Sequence, residues 1–133
     1  MRIARRTLFN SELLQVGDVV ARPSSSDCGE LERQNRNVLV LPLAGVFAKH
    51  DGPRRHVIAT SNHAVFIVAD RPYRISYPGS IGDKCLTLRL SNAALAQVLP
   101  EATYQNGTHS PALASHVLLP ASAMVARSWK QHV

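Results

Sequence analysis

Chemistry in this 133-residue chain would have to start from its six histidines and two cysteines. His50, His56, His63, His109, His116 and His132 never occur as His-x-His, the spacing that puts two imidazoles on one side of a strand. If separate strands converged, His56, His63 and Cys85 are the set that zinc or iron would use. Without the spacing, His63 is expected to be a hydrogen-bonded turn residue beside Asn62, and no metal is expected. Cys28 and Cys85 lie far apart, so two reduced thiols are expected. The serines show no Gly-x-Ser-x-Gly elbow, and no glycine-rich phosphate loop exists. Glu30 and Glu32 point the same way in an extended segment, but a solvated loop explains them better than acid–base work. No catalytic constellation or cofactor is therefore expected, and the chain reads as a non-enzyme.

What remains is binding. A small β-barrel with an open mouth holds one small ligand among apolar walls and a few polar groups. Strand alternation nominates Tyr73, Ile75, Leu86 and Leu88, from two strands expected to be neighbours. Arg22 would supply a cation and Phe9 a lid.

The elements that position these residues are short strands separated by turn signals. Residues 64–69 suit a buried strand, Asp70-Arg71-Pro72 is a turn, and 73–77 resumes as an antiparallel strand. Residues 18–22 form a strand that stops at Pro23. The run 38–41 is strongly β-prone and is expected to halt at Pro42. Residues 44–50 and 54–60 pair through Asp51-Gly52-Pro53. Residues 84–90 alternate, with Leu86, Leu88 and Leu90 assigned inward. Seven or eight such strands make a sandwich or small barrel. Ser91 caps a short helix over 92–99.

Composition agrees with one soluble globular domain: 45% of residues are hydrophobic and 18% charged. No run approaches the roughly 20 apolar residues of a bilayer span. The basic start, Met1 to Arg6, lacks an apolar core and is no secretory signal, so a cytoplasmic location is expected. The net charge of +6 is scattered over the chain, which fits a solvated surface better than a nucleic-acid site.

Three segments resemble the N-terminal sensor domain of AraC-family transcription regulators. Asn62-His63, the apolar run after it and Pro72-Tyr73-Arg74 follow that family's Asn-His, apolar run, Gln-Pro-Tyr-Arg pattern. Relatives carry Asn-Arg-Gly-Gln where this chain has Val68-Ala69-Asp70-Arg71, so the turn departs from the pattern. Leu8-Phe9 through Val16-Gly17 resembles the family's opening Leu-Phe-x-Ser-x-Leu-Leu-x-Val-Gly, and Gly82-Asp83-Lys84-Cys85 its Gly-Asp-x-Cys. The resemblance implies a mainly β, cupin-like jelly-roll barrel with one or two C-terminal helices. It also implies a small-molecule effector, a homodimer, and DNA contact only through a helix-turn-helix domain absent from this chain. The alternative reading is a metal-dependent cupin enzyme, whose family pattern again starts from His-x-His.

Residues 1–90 are accordingly expected to form an apolar arm and the barrel. Residues 91–133 are expected to form a helical C-terminal part that serves as a dimerisation element. Residues 112–119 suit a last strand or the start of a helix. Beyond Pro120, a helical face carrying Val125 and Trp129 either seals a dimer or covers the barrel wall within one subunit.

Overall fold

The protein is seen in a computed structural model that describes residues 1–98 and 116–120. Nine strands occur among them: β1 (Arg2–Asn10), β2 (Leu14–Arg22), β3 (Asn37–Gly45), β4 (Phe47–Gly52), β5 (Arg55–Ala59), β6 (His63–Ile67), β7 (Arg74–Ser76), β8 (Asp83–Leu90) and β9 (His116–Pro120). They form a six-stranded sheet, β1-β2-β8-β3-β6-β9, and a three-stranded sheet, β5-β4-β7. Every pairing is antiparallel. The two sheets face each other as a mainly β jelly roll.

Side chains alternate across a strand, so one buried residue fixes the phase of the rest. Ala21, Val38, Val40, Val65, Ile67 and Cys85 point from the large sheet into the interior, where they meet Phe47, Ala59, Tyr73 and Tyr77. The outward face of the same sheet is also apolar. There Leu39, Ala64, Phe66, Val68 and Leu90 pack with Leu95 of helix α1 (Asn92–Val98), and Leu14, Leu41 and Leu88 join them at the margin. The helix starts where the Ser91 hydroxyl accepts a hydrogen bond from the Ala94 N–H at 3.1 Å.

Several sequence expectations change here. The segment before residue 11 is a nine-residue strand at the edge of the large sheet, exposed along its whole length, rather than an arm folded on the body. Pro42 does not halt β3. It sits opposite Cys85 beside a bulge, where the irregular ladder tolerates its missing donor, and the strand runs on to Gly45. Strands β6 and β7 do not pair with each other, because Asp70-Arg71-Pro72 carries the chain from one sheet to the other. Asp70 takes a left-handed φ of 62° and donates its N–H to the Gln34 carbonyl at 2.7 Å. Of the undecided stretch 112–119, residues 116–119 belong to β9, which pairs with β6 and extends to Pro120. The expected helix with Val125 and Trp129 lies outside the described residues.

Candidate functional site: a basic cleft on the concave sheet face

The interior face of the large sheet continues past its buried positions. Inward residues of β8 after Cys85 are Thr87 and Arg89, and those of β2 before Ala21 are Val19, Gly17 and Gln15. Across from β2, Arg5 faces Val19 and Thr7 faces Gly17. Cys85 and Ala21 are buried, whereas Val19, Gly17, Gln15, Thr87 and Arg89 are only half-buried. The result is a cleft of about 310 Å³ lined by Arg5, Arg6, Thr7, Gln15, Gly17, Asp18, Val19, Thr87 and Arg89.

Gly17 gives the floor its depth. A Cβ there would stand 3.2 Å from both the Arg6 carbonyl oxygen and Thr87 Oγ1. Thr87 Oγ1 in turn donates to the Gly17 carbonyl at 3.3 Å.

The charges are not balanced equally. Arg6 is paired with Asp18 at 2.6 Å. Arg89 instead donates to two neutral amide oxygens, Gln34 Oε1 at 2.7 Å and Asn35 Oδ1. Neither Arg5 nor Arg89 forms an ion pair among the described residues. A guanidinium has five N–H donors, so Arg89 keeps donors beyond those two bonds. Glu32 is half-buried, and that burial raises its carboxyl against the lowering effect of Arg5.

Behind the cleft a polar row runs into the barrel. Gln34 Nε2 donates to the Tyr73 hydroxyl at 2.9 Å. Burial raises the Tyr73 phenol, with Gln34 acting in the opposite sense, so the ring stays neutral. Lys49 Nζ lies 5.3 Å from the Tyr73 ring centroid and 2.9 Å from Asp51 Oδ1. Lys49 is only 1% exposed, and burial lowers its ammonium while the Asp51 bond raises it. A second cleft, about 470 Å³, opens at the far end of this row and is lined by Tyr73, His50, Asp51, Arg74 and neighbouring loop residues.

The six residues nominated from the sequence do not come together. Tyr73 and Ile75 point inward as expected, and Tyr73 lines the second cleft. Leu86 and Leu88 lie on the opposite face from Cys85, with Leu88 packed toward α1. Phe9 stands opposite Val16 on that outward face and is 54% exposed, so it covers no barrel mouth. Arg22 follows inward-facing Ala21 and is exposed on the outer side. The reason is physical: the apolar face of β8, with Leu88 and Leu90, packs on the α1 side of the sheet, whereas Thr87 and Arg89 face the interior cleft, so an apolar-inward rule points the strand the wrong way. The sequence reading missed Arg5, Gln15, Thr87 and Arg89. One signal was present: Arg89 and Thr87 share the phase of Cys85, the residue within the Gly82-Asp83-Lys84-Cys85 motif.

The expected turn role of His63 is seen directly, since its Nδ1 accepts from the Thr60 N–H at 3.1 Å. His56 stacks obliquely against His50, 5.3 Å between ring centroids, and Cys85 is buried inside the barrel. Among the described residues no three His, Cys, Asp or Glu side chains gather as metal ligands. No described helix is long and apolar enough to cross a membrane.

No protein-family model and no curated protein matches the chain. Solved structures do. A cupin-superfamily protein from Desulfitobacterium hafniense superposes with a TM-score of 0.54 at 16% identity, covering 67% of this chain and 77% of that one. The EutQ protein of Clostridium difficile gives 0.56 at 16% identity, over 66% and 67% of the two chains. An RmlC-like cupin with a double-stranded β-helix fold, from Methanocaldococcus jannaschii, gives 0.56 at 12% identity over 67% and 80%. At these identities the likeness is one of fold: the chain is built as a cupin-like jelly roll.

Proposed function

We propose that the chain is the effector-binding and dimerising domain of an AraC-type transcription regulator, acting in the cytoplasm as a sensor rather than an enzyme. The observation that carries this is the cleft above: a concave strand-built surface of about 310 Å³ with Arg89 oriented by neutral amides. That volume is at the lower end for small-molecule sites. Rigid strands hold its walls, which suits recognition of one small molecule. The Asn62-His63, Pro72-Tyr73-Arg74 and Gly82-to-Cys85 motifs support the regulator context. In that context the DNA contact comes from a separate helix-turn-helix domain, and Val125 and Trp129 line the seam between two copies. Sedimentation of the purified chain as a single monomer at all concentrations would remove the dimer from this reading.

Sensing is tested by thermal melting against a metabolite library. At least one compound should raise the melting temperature of the wild type in a saturable way. The same compound should do less for Gly17→Ala, in which a methyl group intrudes on the cleft floor. A library without a saturable stabiliser, or a stabiliser indifferent to Gly17→Ala, contradicts the proposal.

A further inference from the structure

We infer that the cleft between β1, β2 and β8 is a carboxylate site, in which Arg89 takes a small organic acid by its guanidinium fork and Arg5 closes on it from the edge strand. This rests on the sensing role proposed above and adds the chemical class of the ligand. Arg89 is the anchor. Its amide partners, Gln34 Oε1 and Asn35 Oδ1, fix the plane of the group without cancelling its charge. A planar fork held that way matches the two oxygens of a carboxylate. The nearby acid that would compete is already engaged, since Asp18 binds Arg6 at 2.6 Å. Glu32, the other acid near Arg5, forms no ion pair with it among the described residues.

Arg5 faces Val19 across the β1–β2 pair and lines the same cleft, so the two cations approach the ligand from different strands. Thr7, Gln15 and Thr87 supply neutral hydrogen-bonding groups between them. Val19 is the apolar contact. Such a wall favours an acid with a short polar or aromatic body over a long aliphatic tail, because about 310 Å³ leaves little room beyond a ring or a few carbons.

The test is calorimetric titration with benzoate and succinate, each beside its neutral amide, benzamide and succinamide. One of the acids should bind saturably at millimolar or lower concentration while its amide does not. Affinity should fall about tenfold or more in Arg89→Gln and in Arg5→Gln, the loss expected of one charge-assisted bidentate contact. Arg22→Gln removes an exposed arginine from the outer face and should leave affinity unchanged. Arg5 is exposed on an edge strand, so its variant keeps the test readable if Arg89→Gln disturbs the fold; Arg89→Lys, which keeps the charge and loses the fork, should weaken binding as well. Equal binding of acid and amide overturns the inference, as does unchanged affinity in Arg5→Gln, or no binding by either acid. A neutral library compound that loses its stabilising effect in Gly17→Ala, with both acids inert, overturns the carboxylate assignment and leaves sensing in place.

Discussion

Asp83 carries the clearest titration signature among the described carboxylates. Burial pushes its pKa up from 3.8 to about 6, against the smaller lowering effect of the Cys85 thiol, which donates to Oδ2 at 3.4 Å. The folded state thus holds a proton that the unfolded chain has released. The stabilising contribution is complete below 3.8 and is lost as pH rises through about 6. Asp83→Asn keeps a neutral acceptor for Cys85 and removes the titration. Its melting temperature should fall less than that of the wild type between pH 4 and pH 6, roughly the window those two pKa values define, and should exceed it at pH 7. Parallel curves would show that Asp83 is not the group responsible. The neighbouring Gly82 has φ of 82°, and a Cβ there would lie 2.3 Å from the Ala21 carbonyl oxygen, so the Gly-Asp-x-Cys segment also marks a close backbone crossing.

Strand β8 shows where sequence reading holds and where it fails. Its extent was readable from the alternating Leu86, Leu88 and Leu90, and so was the capped helix that follows. Its phase was not, because α1 covers the outward face, so the apolar side of β8 points away from the interior while Thr87 and Arg89 point into it. The Pro42 stop failed for a related reason: a bulge opposite Cys85 absorbs the proline, and bulges leave little trace in composition. The exposed edge strand β1 was hidden by its arginines, since Arg2, Arg5 and Arg6 break any β-prone run. Charged residues on an edge discourage pairing with other chains, which explains their presence there. The assignment of faces has a direct consequence. Leu95 is buried where α1 meets the sheet, so Leu95→Ala should cost about 2–4 kcal/mol by denaturant titration. Leu88→Ala should likewise lower stability without weakening ligand affinity. A variant at Leu88 that abolished binding while leaving stability intact would put the β8 phase in error.

At the scale of the molecule, the two sheets enclose an interior that is apolar toward Phe47, Val65 and Ile67 and polar along the row from Arg89 through Gln34 and Tyr73 to Lys49 and Asp51. The jelly roll was legible from strand spacing plus family resemblance, and solved cupin structures share it. The site was not legible, because its residues come from β1, β2 and β8 and meet only through sheet order, with a nonlocal pairing that no local pattern encodes. The most direct check of the central claim is backbone amide chemical-shift mapping by NMR while titrating the compound that most raises the melting temperature. Shifts should gather on Arg5, Thr7, Gln15, Gly17, Thr87 and Arg89. Shifts gathered instead around Leu88 and Leu95, or around His50 and Arg74, would contradict the cleft as the seat of sensing.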